Sequence, residues 1–293
     1  MSTETASPAP LGRRMMNKVP EVTIYFWIIK VLCTTIGETG ADNLDTRYNL
    51  GLANLTYITG GILALVLLAV FSAKRYIPVL YWSGIVLISV VGTLITDNLT
   101  DNHGVALQVS TALFTIALAA TFAVWYASER TLSIHTIVTT RREAFYWVTV
   151  LFTFALGTAA GDLIAEKTGL GYGWSVVVFA AAIALITLAH FRLGLGPVLA
   201  FWLAYILSRP LGASVGDYLS QPTANGGLGL GTSMTSYLFL ATIAALVAYL
   251  TVTRADQTPP EVIEHELAEH QILEHHLPHP HVHPHGHGDE PQD

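Results

Sequence analysis

Charge is what this sequence lacks. Asp, Glu, Lys and Arg make up 12% of its 293 residues while 52% are hydrophobic, against about 25% charged in an ordinary soluble domain. With a mean hydropathy of +0.50, that scarcity excludes a soluble globular protein and points to a membrane protein. Cysteine is nearly missing as well. Cys33 stands alone, so no intrachain disulfide can form and the redox compartment is left open. The polar, Pro/Ser/Thr-rich stretch through Pro20 lacks the apolar run and small-residue cleavage site of a signal peptide, so the first transmembrane helix is expected to direct insertion. The net charge of -7 owes much to acidic residues crowded into the last forty positions. It is no argument for or against nucleic acid, and no nucleic-acid partner is expected.

Against that background one pattern recurs four times. An aromatic residue and Trp are followed ten positions after the Trp by Gly and fifteen after it by Asp. The instances are Phe26-Trp27 with Gly37 and Asp42, Tyr81-Trp82 with Gly92 and Asp97, Tyr146-Trp147 with Gly157 and Asp162, and Phe201-Trp202 with Gly212 and Asp217. The residues between Trp and Asp are mostly apolar, so each copy sets a carboxylate near the end of a hydrophobic helix, where it is costly and marks function.

Apolar stretches long enough to span, about 20 residues each, run over 20–44, 51–72, 77–99, 104–126, 143–165, 173–191, 197–219 and 231–252. The odd-numbered stretches carry the motif and the even-numbered ones run back. The expected fold is therefore an all-α polytopic membrane protein of eight transmembrane helices arranged as four tandem helical hairpins. Trp-to-Trp spacings of 55, 65 and 55 suggest a first hairpin pair (20–126), a linker (127–142) and a second pair (143–252), flanked by segments 1–19 and 253–293. Ten Lys and Arg fall on the side of the termini and only Arg47 and Lys167 in loops on the other. The positive-inside rule then sets both termini in the cytoplasm and the four Asp toward the outer face.

Within each motif the Gly is followed four residues later by Ala41, Thr96, Gly161 or Gly216. Such small pairs form a smooth strip along which two helices approach closely in lipid. Each Trp, beside its aromatic neighbour near the cytoplasmic end, reads as an interfacial anchor. Further acid accompanies the repeated Asp: Asp45 lies three residues after Asp42, Asp101 four after Asp97 and Glu166 four after Asp162, and Glu38 lies one turn before Asp42. A ring of carboxylates repels itself unless protons or cations neutralise it, and hard cations prefer oxygen ligands. Asp42, Asp97, Asp162, Asp217, Glu38, Asp45, Asp101 and Glu166 are thus candidates for binding a cation or proton. The bland alternative is that each Asp caps a following turn or meets water at the interface.

Two cations lie inside helices. Lys30, three residues after Trp27, is expected to snorkel to the cytoplasmic interface, with a functional role as the alternative. Arg209 needs a carboxylate, backbone carbonyls or water. Pro210 beside it interrupts the helix ladder, which suggests a hinge or discontinuous helix lining a cavity, or else a structural ion pair. Nine of twelve His lie in the tail. His275, His276, His279, His281, His283, His285 and His287 form an interspersed series able to chelate divalent metal, unless the tail is only a solvated low-complexity segment. The Gly-Asp pairs at 161–162 and 216–217 resemble those of intramembrane aspartyl proteases, but internal duplication explains them better. No enzyme is expected and no tightly bound cofactor.

The stretches KVPEVTIYFWIIKVLCTTIGETGADNL (18–44) and SIHTIVTTRREAFYWVTVLFTFALGTAAGD (133–162) resemble a family of bacterial membrane proteins. That family is built from four tandem two-helix repeats, each with a characteristic Trp, and is labelled a repeat of unknown function. The resemblance covers about residues 18–254 and implies eight transmembrane helices in a bacterial inner membrane, without implying an activity. From the residues themselves the leading expectation is a transporter of a small cation, a divalent metal above all, with export ahead of import and exchange for protons as one coupling the carboxylates allow. Beside it stand a non-transporting scaffold or metal/pH sensor, and a transporter of a small organic anion that uses Arg209 and Lys30.

Overall fold

A computed structural model describes residues 17–167 and 171–257, and the side chains of Glu166 and Lys167 fall outside that description. Among the described residues are eight long helices and no strand. They are α1 (Ile24–Tyr48), α2 (Leu52–Ser72), α3 (Pro78–Asp97), α4 (Leu107–Glu129), α5 (Thr140–Lys167), α6 (Gly171–Leu193), α7 (Pro197–Ser220) and α8 (Thr232–Thr253). Their limits follow local chemistry. Pro78 and Pro197 open α3 and α7 at a position where no N–H is needed. Thr23 accepts a hydrogen bond from the Phe26 N–H at the start of α1. Asn49, Arg130 and Arg254 end α1, α4 and α8 in the left-handed conformation.

Seven of these helices are long and apolar enough to cross a membrane. The exception is α1, which has the length but carries Lys30, Glu38, Asp42, Asp45 and Arg47. Helices α3, α5 and α7 bury more than half of their spanning windows, whereas α2, α4, α6 and α8 bury less than a third. The large exposed side chains of that outer set, among them Leu65, Ile116, Leu185, Phe191 and Val252, suit a lipid bilayer.

The motif-bearing helices form a closed inner ring in which α1 packs on α3, α3 on α5, α5 on α7, and α7 back on α1. The outer helices do not pack chiefly on the helix they follow. Each leans on the next inner helix: α2 on α3, α4 on α5, α6 on α7, and α8 on α1. The four hairpins of the sequence are therefore interlocked, every repeat giving its second helix to its neighbour.

The motif glycines explain the closeness of the ring. A Cβ at Gly37 would collide with Ser89, at Gly92 with Phe154, at Gly157 with Arg209, and at Gly212 with Thr34. In motif register, position ten of each repeat meets position seven of the next, and the fourth repeat closes on the first. Thr96, four residues after Gly92, adds an interhelical hydrogen bond to the Ala155 carbonyl at 3.1 Å.

The tryptophans depart from the interfacial role expected of them. Of the four motif tryptophans, Trp82, Trp147 and Trp202 are buried and Trp27 is partly accessible. They interleave with Phe26, Tyr81, Tyr146, Phe201 and Tyr205 in one aromatic mass filling the ring near the termini. Their shared position faces the ring axis, so protein covers them instead of lipid headgroups. The Trp202 indole N–H donates to the Leu132 carbonyl of the central linker at 2.9 Å. The same end is strapped by Lys18, which pairs with Glu143 at 2.6 Å and donates to the Phe71 carbonyl. Tyr76 completes the strap by donating to Asp256 at 2.6 Å.

Candidate functional site

Counted from each motif Trp, positions three, seven and eleven fall on one helix face, because steps of three and four match the helical period. All four inner helices turn this face toward their neighbours in the ring. Position eleven is Glu38, Thr93, Thr158 and Ala213; position seven is Thr34, Ser89, Phe154 and Arg209; position three is Lys30, Ile85, Val150 and Tyr205. Position fifteen, the repeated Asp, completes the series at the end away from the termini.

There the carboxylates meet. A cavity of about 500 Å3 is lined by Glu38, Asp42, Asp45, Asp97, Asp101, Asp162 and Asp217, with Gln221 and Tyr172 among its other walls. The structure thus brings together one Asp from every repeat and three of the acidic neighbours singled out in the sequence. A π-helical turn over Asn98–Asn102 carries Asp101 onward from α3. Glu166 has its side chain outside the described residues, as do all the tail histidines from His275 to His287. No described residue lining the cavity is Lys, Arg or His. At its floor, Glu38, Asp162 and Asp217 each offer an oxygen within 4.8 Å of the others. One ion with metal–oxygen distances of about 2.3–2.6 Å could bridge such a set.

Beneath the floor lies Arg209, with no exposed surface. Its Nη2 donates to Glu38 at 2.9 Å, to Thr158 Oγ1 at 2.6 Å and to Thr93 Oγ1. Three of the four position-eleven side chains therefore converge on one guanidinium. The fourth is Ala213, on Arg209's own helix. Gly157 makes this possible, because a side chain there would occupy the space of the Arg209 stem. The carboxylate that Arg209 was expected to need is thus Glu38. A break in the helix, one of the two readings of Arg209 and Pro210, is not found: α7 runs unbroken through Pro210. Thr34 Oγ1 on α1 donates to the Ser208 carbonyl at 3.2 Å, tying α1 to α7 beside Pro210.

Lys30 also departs from expectation. It does not snorkel; it is 1% exposed, with its amine 3.7 Å from the centre of the Phe154 ring and 4.0 Å from that of Tyr205. Position three faces the ring interior, and a stem pointing there has no route to an interface. Thr93 and Thr158 were missed as site residues. The signal that would have found them is register, since both stand eleven residues after a motif Trp, as Glu38 does.

Comparison with known proteins agrees with this repeat architecture. The family described as Repeat of Unknown Function (DUF347) matches four tandem segments, residues 25–76, 80–131, 145–194 and 200–256. These cover most of the chain, which therefore belongs to that family. No curated protein and no solved structure matches it.

Proposed function

We propose that this four-repeat DUF347 protein is a membrane transporter of a cation, a divalent metal in particular, with the carboxylate cavity as its binding site and protons as counter-ions. The observation that carries this reading is that each of four repeats delivers one Asp to a single cavity, joined there by Glu38 and free of any described cationic lining residue. Seven carboxylates around one opening strongly favour positive charge, and all-oxygen ligation suits hard divalent ions.

In this reading α1 is an eighth span. Its charges are tolerable in a bilayer because the ring shields them: Glu38 and Lys30 are buried by neighbouring helices. Lys18, Lys74, Arg75, Arg130, Arg141, Arg142, Arg192 and Arg254 cluster toward the termini, so that end is cytoplasmic and the cavity opens outward. The membrane is then a bacterial inner membrane, and the aromatic mass is the closed inner gate of an outward-open state. The His-rich tail, lying beyond the described residues, would gather metal on the cytoplasmic side and bias the cycle toward efflux. An organic-anion substrate has less support, because Arg209 is engaged by Glu38 and Lys30 does not line the cavity.

The test is metal flux into proteoliposomes carrying the full chain and a lumenal metal-sensitive dye. Mn2+ entry is expected to fall at least tenfold in Asp162→Asn and Asp217→Asn, and to persist when residues 258–293 are deleted. Wild-type flux that survives both substitutions would remove the cavity from the mechanism. A chain that moves no metal but changes partner or shape when metal is added would favour the sensor reading.

A further inference from the structure

Lys30 lies two turns of α1 from Glu38, on the side away from the cavity, and no hydrogen bond satisfies its amine. The charged or titratable groups facing it are Cys33 on its own helix and Arg209 and Tyr205 on α7. Helix α5 presents the Phe154 ring. Of the other helices packed on α1, α3 carries Tyr81 one turn nearer the termini and Asp97 at the cavity, while α8 carries Tyr249 against Tyr25. Arg209 is a like charge, its guanidinium carbon 6.0 Å from the same Phe154 ring. As an ammonium, Lys30 therefore has two aromatic faces but no facing carboxylate. As a neutral amine it needs none. Cation–π contact offsets only part of the desolvation cost of burying such a charge.

The balance at Lys30 is set from the cavity. Glu38 both lines the cavity and holds Arg209. A cation drawn to Glu38, Asp162 and Asp217 competes for the Glu38 carboxylate, and less of its negative charge then screens Arg209. Positive potential rises at Lys30 and favours loss of its proton.

Away from the cavity a series of buried phenols leads onward. Tyr205 lies beside Tyr146 with its hydroxyl free of any hydrogen bond, Tyr146 and Tyr81 share a hydrogen bond between their hydroxyls, and Tyr76 packs edge-on against Tyr81 with ring centres 5.6 Å apart. Tyr76 donates to Asp256, beyond the end of α8, at 2.6 Å. Burial raises the Asp256 carboxyl from its ordinary value, with the Tyr76 hydrogen bond opposing.

We propose that Lys30 is the proton-carrying group of the cycle, releasing its proton through Tyr205, Tyr146, Tyr81 and Tyr76 to Asp256 when a cation occupies the carboxylate cavity. The inference rests on the cation reading of that cavity. The step balances as proton transfer alone. The N–H bond of the ammonium breaks, each phenol oxygen gains one proton as it passes its own along, and Asp256 takes up the last before yielding it to water.

The experiment is isothermal titration of the full detergent-purified chain with Mn2+ at pH 7 in buffers of differing ionisation enthalpy, which counts protons released per bound cation. Wild type should release one proton more than Lys30→Met, and Lys30→Arg, which keeps the charge but cannot give it up, should match Lys30→Met. Equal counts in all three proteins overturn the proposal while leaving cation binding intact. Failure of wild type to bind Mn2+, Mg2+ or Ca2+ overturns the cavity reading and the proposal with it. For the route, Tyr81→Phe should keep the wild-type proton count yet slow cation-driven pH change inside vesicles at least tenfold. An unchanged rate in that variant excludes the tyrosine path.

Discussion

The Glu38–Arg209 pair concentrates in two side chains most of what is electrostatically demanding in this ring. Arg209 is fully buried, and its hydrogen-bonding nitrogen meets one carboxylate and two threonine hydroxyls. Removing one partner of a buried pair leaves the other's charge uncompensated and costs about 3–5 kcal/mol. Glu38→Gln should therefore lower the midpoint of thermal unfolding in detergent far more than Asp101→Asn, whose parent carboxylate is exposed. Glu38→Gln combined with Arg209→Met should recover much of the loss, because the orphaned charge is gone. A double variant no more stable than Glu38→Gln alone would mean that Arg209 is held by its threonines and by water. The sequence made half of this legible. A lone Arg beside Pro in an apolar helix needed a carboxylate, backbone carbonyls or water, but nothing in linear spacing paired it with Glu38, 171 residues away. Lys30 was misjudged for a related reason. Three residues from Trp27, it suits either an interface or an interior, and only the direction of its helix face decides.

Among the helices, the small residue ten positions after each Trp has a different consequence from other glycines. At Gly212 a methyl group would meet the Thr34 side chain and the Thr35 backbone nitrogen, so α1 and α7 would have to separate. Overpacking of this kind costs about 1–3 kcal/mol. Gly60, in the middle of α2, has open space where its Cβ would lie, and Ala there should stabilise by up to about 1 kcal/mol through helix propensity. Gly212→Ala should accordingly lower thermal stability while Gly60→Ala leaves it equal or higher, as read by differential scanning fluorimetry of the purified protein. Equal effects would mean that the ring yields freely at this contact. The number and order of the long helices, the glycine strip and the clustering of acid were readable, because hydropathy and spacing report them directly, whereas α1 starts and ends four residues later than the apolar stretch at 20–44. The position of the aromatic residues was not. A Trp near a helix end looks the same in sequence whether headgroups or protein will cover it, since both environments accept an amphipathic ring. Pairing of the outer helices was hidden too, for a short loop brings two helices near without dictating which face of which neighbour they cover.

At the scale of the whole molecule, the exchange of second helices makes the ring depend on its last element. Helix α8 packs on α1 as α2 does on α3, so the first inner helix gains its outer cover only when the last helix is in place. Deleting α8 would expose the face of α1 bearing Asn43 and Thr39, which bond to Ser233 and Ser236 across that contact. Those polar groups would then face lipid without partners, at about 1–2 kcal/mol each. The same geometry makes the order of the repeats interchangeable. The chain leaves α8 close to where it enters α1, with the Glu21 N–H bonded to the Asp256 carbonyl at 3.0 Å. The short turn between α2 and α3 lies at that same end, so joining residue 257 to residue 17 and opening the chain between Ala73 and Ile77 would preserve every helix direction and every ring contact. Such a permutant should insert with its new termini on the same side of the membrane, unfold within a few degrees of the parent, and still carry cation flux. Its specific losses are local: Lys18 reaches the Phe71 carbonyl at 3.1 Å and Tyr76 donates to Asp256 at 2.6 Å, and fraying at the new termini weakens both contacts. If the permutant fails to fold while a control with the same linker and intact α2–α3 turn folds well, then the first hairpin must form before the ring can close. The closed fourfold arrangement would then be the end of an ordered assembly, with the native order of repeats a requirement of folding as well as a record of duplication.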